Sequence, residues 1–122
     1  AASAKVTMAA DPAYQEALRA GFYNDLTLAQ AAPFLQWLTP DLPLHVAVDA
    51  VHPSAARWGR VPRTYVRTLR DQALPLALQE RQIAEADAFT PDNRFRVQAL
   101  DSGHSPFASQ PQALAALLDA TS

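Results

Sequence analysis

Asp71 and His104 are the two residues of this chain whose types best suit proton transfer. A carboxylate that accepts the Nδ1 hydrogen of an imidazole fixes its tautomer and steadies the imidazolium. Nε2 is then left to take a proton from a hydroxyl nucleophile. Brought together, the pair would look like two thirds of a catalytic triad. No Gly-x-Ser-x-Gly occurs in the sequence, so the nucleophile would have to come from a partner segment, or the chain is not a complete enzyme.

Placement gives the pair its meaning. Arg63-Thr64-Tyr65-Val66-Arg67-Thr68-Leu69 is rich in β-branched and aromatic residues and ends at Arg70-Asp71, which predicts a strand just before the acid. Phe95, Val97 and Ala99 alternate with Arg94, Arg96 and Gln98, which predicts a second strand near a sheet edge. The loop Asp101-Ser102-Gly103-His104-Ser105-Pro106-Phe107 follows it. Between them, residues 75 to 88 read as a helix with Leu76, Gln79 or Glu80, and Ile83 on the inner stripe. The chain closes with a helix after Pro111 whose Leu114, Leu117 and Leu118 form an apolar stripe. Strand, helix, strand, helix implies parallel pairing through crossover helices. In open α/β sheets the functional crevice lies beyond the carboxyl ends of the strands, where both Asp71 and His104 fall. Gly103 relieves crowding before the His, and Pro106 stiffens the loop's exit. A plainer reading of each residue alone stays open: Asp71 also suits a helix N-cap, and a His in a Gly-Ser loop suits an ordinary surface.

The first half is helical. Residues 1 to 10 carry no periodic pattern and read as a flexible lead or cleaved linker. Ala1-Ala2-Ser3-Ala4 resembles a signal-peptidase site but lacks a preceding apolar segment. Asp11-Pro12 starts a helix through Tyr14, Leu18 and Phe22. A second helix is expected after Asn24-Asp25, carrying Leu28, Ala32, Leu35 and Leu38, with Phe34 and Trp37 on a neighbouring face and Pro33 bending or interrupting it. From Pro40 to Pro53 the prolines leave Leu44, Val46 and Val48 as either an extended run or a short helix. Two predicted strands cannot make a stable sheet with both faces covered, so the rest of the sheet is expected from a separate or missing segment.

Composition narrows the chemistry. The length suits one domain, and a net charge of −2 gives the chain as a whole no electrostatic preference for nucleic acid or acidic membranes. The arginines between Arg57 and Arg70 read as a solvated strand edge and helix surface. With no cysteine, disulfides, thiolate catalysis and cysteine-ligated metal are excluded. Neither His45 nor His52 has a carboxylate or second His at metal-ligand spacing on a firmly patterned element, so no metal is expected. The longest apolar runs fall far short of a bilayer span; a soluble chain is expected, with its compartment, cytoplasmic or secreted, left undetermined.

Three stretches together carry a family resemblance: Trp58-Gly59-Arg60-Val61-Pro62-Arg63-Thr64-Tyr65-Val66, Asp71-Gln72-Ala73-Leu74-Pro75-Leu76-Ala77-Leu78-Gln79, and Ser102-Gly103-His104-Ser105-Pro106-Phe107. They resemble the C-terminal half of α/β-hydrolases, and within them the plant salicylate methylesterase and hydroxynitrile lyase group with its bacterial esterase relatives. The resemblance continues more weakly through Tyr23-Asn24-Asp25-Leu26. It implies an α/β fold in which residues 11–58 form a helical cap and 59–122 the last two strand–helix units. It also implies Asp71 as triad acid and His104 as base, with the nucleophilic Ser and the oxyanion hole on an N-terminal half acting as partner. Phe34, Leu35, Trp37 and Leu38 would lie in the cap and line the pocket of a small apolar ester. No cofactor is implied. Two departures stand out. The lyases carry a Lys directly after the catalytic His, where this chain has Ser105, which disfavours cyanohydrin cleavage. The connection around Phe89 to Asn93 is also a few residues longer. The expectation is a serine-dependent ester hydrolase; the alternatives are a hydrolase-like ligand-binding protein without turnover, and a lyase on the same scaffold.

Overall fold

The computed structural model describes residues 3–5, 11–38 and 41–121. Ser3–Lys5 forms a short strand, β1, within the stretch read as a lead, whose other residues lie outside the described ones. The helix α1 (Pro12–Phe22) begins as its sequence dictates. Asp11 caps it by accepting from the Ala13 N–H, and Pro12 occupies the first turn, where no N–H is needed.

The next helix, α2 (Leu28–Leu35), starts after Asn24-Asp25 as expected and ends at Leu35, short of Leu38. Its N-cap is Thr27, which forms a reciprocal capping box with Gln30, and Pro33 lies inside the last part of the helix. Asn24 and Asp25 are instead drawn away to distant backbone groups. In the Pro-punctuated stretch, Leu44, Val46 and Val48 take the helical reading, in the short helix α3 (Leu44–Val48), and Asp41–Pro43 before them form strand β2, antiparallel to β1. A cluster of Tyr23, Ala31 and Leu35 forms the buried core of this half, flanked by Leu18, Leu26, Leu28, Phe34, Leu38 and Ala108. Ala108 belongs to the short helix just after His104, so the helical half packs against the segment that carries the imidazole.

In the second half, β3 (Thr64–Thr68) and β4 (Arg96–Leu100) pair in parallel, with Thr64 opposite Arg96 and Thr68 opposite Leu100. The crossover helix α4 (Leu76–Phe89) buries Gln79 and Ile83 and leaves Glu80 exposed, so Gln79 takes the inner stripe. Two helices close the chain, α5 (Pro106–Ser109) and α6 (Pro111–Asp119). In α6, Leu114 and Leu117 are half-buried and Leu118 is exposed. The expected alternation along β4 is absent: Arg96 to Ala99 are exposed and only Leu100 is buried. Both faces of that strand are therefore open among the described residues.

The entry ends of the strands are tied by Arg63. Its guanidinium stacks on Trp58, 3.8 Å from the ring centroid, and donates to Thr90 and Asn93. Asn93 in turn donates to the carbonyls of Gly59 and Val61. Arg67 pairs with Glu80 and Arg70 with Asp101. Three arginines of the basic stretch are thus engaged within the chain itself.

Candidate active site

The strands end short of the two predicted residues, and pairing continues beyond them. The Leu69 N–H donates to the Leu100 carbonyl and the Arg70 N–H to the Ser102 carbonyl. This zips the two exit loops together and sets Asp71 across from His104. His104 Nδ1 lies 2.9 Å from Asp71 Oδ2 and 3.1 Å from Oδ1. Separated by a crossover helix in sequence, the two residues are in hydrogen-bond contact in space.

Asp71 is built to be an acceptor. Its Oδ1 receives the N–H groups of Ala73 and Leu74 at 2.9 and 2.8 Å, and its Oδ2 receives the Thr68 hydroxyl at 2.9 Å. Burial alone would raise its pKa. The hydrogen bonds from Leu74, His104 and Thr68, with the attraction of the imidazolium, outweigh that and hold it below the ordinary aspartate value. It is ionised at neutral pH. The Asp71 side chain is 3% exposed and that of His104 37%. A charged, dry carboxylate thus backs an imidazole that reaches solvent.

A carboxylate on Nδ1 selects the Nδ1–H tautomer and leaves Nε2 as the proton acceptor. Nε2 takes no hydrogen bond from the described residues, and no serine among them bonds to His104. Phe22 places its ring edge-to-face with the imidazole at 5.3 Å. The site can therefore accept a proton from a group presented to Nε2, and hold the resulting cation against Asp71.

The sequence is similar to plant proteins with esterase names. It is 38% identical over 77 residues to "Putative methylesterase 11, chloroplastic" of Arabidopsis thaliana, a match covering 63% of this chain and 18% of that protein. It is 34% identical to "Putative methylesterase 13, chloroplastic" and 36% identical to "Putative methylesterase 14, chloroplastic" of the same plant, each over 77 residues. Those matches cover 63% of this chain and 16% and 21% of the relatives. The chain spans about a fifth of the length of the curated relatives it matches. No protein-family model matches it.

The four residues expected to line a pocket differ in exposure. Leu35 is buried in the core with Tyr23 and Ala31. Phe34 stacks near Tyr23 and meets Trp37 and Phe107 edge-on, with ring centroids 5.9, 6.5 and 6.1 Å away. Trp37 is 83% exposed, and Leu38 is half-buried beside the core. Phe34 and Phe107 thus connect the helical half to α5, just after His104. A cavity of about 500 Å³ lies at the opposite, entry end of the strands, lined in part by Gly59, Arg60, Phe89 and Asn93, away from the acid–base pair. Among the described residues there is no cluster of metal-ligating side chains and no helix long and apolar enough to cross a membrane.

Asn24 and Asp25, which in sequence read only as the lead into the second helix, hold both exit loops. The Asn24 amide donates to the Arg70 carbonyl, beside Asp71, and Asp25 Oδ2 accepts from the Gly103 N–H, beside His104, each at 2.8 Å. A polar pair before a helical pattern reads as a cap, and nothing local signals a partner dozens of residues away. The crowding relieved by Gly103 is real. A Cβ there would come 2.1 Å from Asn24 Oδ1 and 2.9 Å from Asp25 Oδ1.

Proposed function

We propose that this chain supplies the acid and base of a serine-dependent hydrolase of small apolar carboxylic esters. Residues 11–58 serve as its helical cap and 59–122 as the last two strand–helix units of an α/β-hydrolase core. The observation that carries the reading is a partly exposed imidazole held through Nδ1 by a buried, ionised Asp71 at the exit end of a parallel strand pair. Similarity to proteins named as methylesterases supports the ester as substrate class. A two-stranded sheet with β4 open on both faces supports completion by strands from another segment, which would also bring the nucleophilic Ser and the oxyanion hole.

In this scheme Nε2 of His104 takes the serine proton as the oxygen attacks the ester carbonyl. Asp71 stabilises the imidazolium so formed. The imidazolium then returns the proton to the departing alcohol, leaving an acyl-enzyme, and the same base activates the water that releases the acid. Phe34, Trp37 and Leu38 sit on the helical half, with Phe22 and Phe107 beside the His104 loop, and offer apolar surface to the acyl or alcohol group. Leu35 supports them from the core.

The test is turnover of short-chain methyl esters by the protein isolated from its source, with whatever polypeptide accompanies it. His104→Ala is expected to lower kcat/KM by on the order of 10³-fold or more. Turnover unaffected by that substitution would overturn the proposal.

A further inference from the structure

Gln79 is 1% exposed, on the face of α4 that meets β3. Its amide has a single orientation that satisfies its neighbours. Oε1 accepts from the Thr68 N–H at 3.0 Å, while Nε2 faces three acceptors: the Thr68 carbonyl at 3.0 Å, the Thr68 hydroxyl at 3.2 Å and the Leu74 carbonyl at 2.8 Å. The reversed amide would set a donor against the Thr68 N–H and an oxygen against two carbonyls. With Nε2 fixed as donor, the Thr68 hydroxyl accepts on that side, and its one hydrogen is directed to Asp71 Oδ2. Leu74, the other residue held by Nε2, donates its own N–H to Asp71 Oδ1.

We infer that Gln79 is a positioning residue for the acid–base pair: one buried amide braces both Thr68 and Leu74, whose donors fix the two oxygens of Asp71 toward His104. The inference rests on the proposed acid and base roles of Asp71 and His104. A packing residue at this helix position would be apolar, since an amide buried for packing alone carries an unrewarded desolvation cost. Here every polar atom of the amide is used, and used on the residues that hold the carboxylate.

The test is an NMR titration of the Asp71 carboxyl carbon in the full chain, with Gln79→Met, Thr68→Val and the double variant. Thr68→Val is expected to raise the titration midpoint by ~0.5–1 pH unit, and Gln79→Met by at least as much, because it loosens both donors. The double variant should shift by less than the sum, since the two side chains act on one carboxylate. A Gln79→Met chain that loses stability but keeps the midpoint of the unaltered protein would overturn the inference. Should Gln79→Met fail to fold, deuterium exchange of the Gln79 side-chain amide decides. Slow exchange that quickens in Thr68→Val supports the brace, and exchange indifferent to Thr68→Val contradicts it. The tautomer of neutral His104, read from its ring nitrogen shifts in the unaltered chain, isolates the underlying reading. A Nε2–H tautomer there would sink the acid–base assignment itself, whatever Gln79 does.

Discussion

Asp25 Oδ2 accepts the backbone N–H of Gly103 at 2.8 Å, joining two residues 78 positions apart in the chain. The bond fastens the segment between α1 and α2 to the loop that carries His104. Its neighbour Asn24 fastens the same segment to the loop that carries Asp71, through the Arg70 carbonyl. Two consecutive side chains therefore hold both exit loops, and the helical half has a direct mechanical link to the acid–base pair.

Breaking that link has a defined cost. Asp25→Ala leaves the buried Gly103 N–H without its acceptor, and urea unfolding is expected to show a loss of about 1–3 kcal/mol. Gly103→Ala drives a methyl group into Asn24 and should cost a similar ~1–3 kcal/mol through forced displacement of the loop. Stability unchanged in both variants would mean that the contact does not hold in solution.

The pH dependence of stability follows from Asp71. Its folded pKa lies below the ordinary aspartate value because Leu74, His104 and Thr68 donate to it despite its burial. The unfolded chain therefore binds the proton more readily. The stabilisation is present above the unfolded pKa and is lost as pH falls through the folded one. Denaturation midpoints of the unaltered chain and Asp71→Asn are expected to converge as pH falls through and below the ordinary aspartate range. A constant gap across that window would contradict the assigned cause.

Leu35 and Trp37 belong to one short stretch but should respond in opposite ways. Leu35 is 4% exposed in the core, and Leu35→Ala is expected to cost about 2–5 kcal/mol. Trp37 is largely in solvent, so Trp37→Ala should alter stability by no more than ~0.5 kcal/mol and show its effect, if it lines a pocket, in KM. Thermal and urea unfolding of the two variants measure the difference directly.

Local pattern carried the second half of the fold well. The β-branched run before Asp71, the helix over residues 75 to 88 and the Gly-His-Ser loop all lie where periodicity and turn chemistry put them, within a residue or so at their ends. Parallel pairing followed from the crossover helix. The alternation read into β4 did not yield a buried face, because burial depends on what covers a sheet and not on the strand's own period. The start of α2 after Asn24-Asp25 was legible, but its end at Leu35 and its Thr27–Gln30 capping box were not, and Asn24 and Asp25, good caps by type, serve tertiary partners instead. Gln79 was legible as an inner-stripe residue, with Glu80 as the other choice. Its bonds to Thr68 and Leu74 depend on how α4 docks on β3, which no spacing rule encodes.

The central claim is that Asp71 and His104 serve a serine on another segment, and fluorophosphonate labelling followed by intact mass spectrometry tests it most directly. The account predicts that the protein isolated from its source contains a polypeptide or segment whose serine takes the probe. That labelling should be lost in His104→Ala and strongly slowed in Asp71→Asn. Labelling that persists in His104→Ala at the original rate, or an accompanying serine that never reacts, would contradict it.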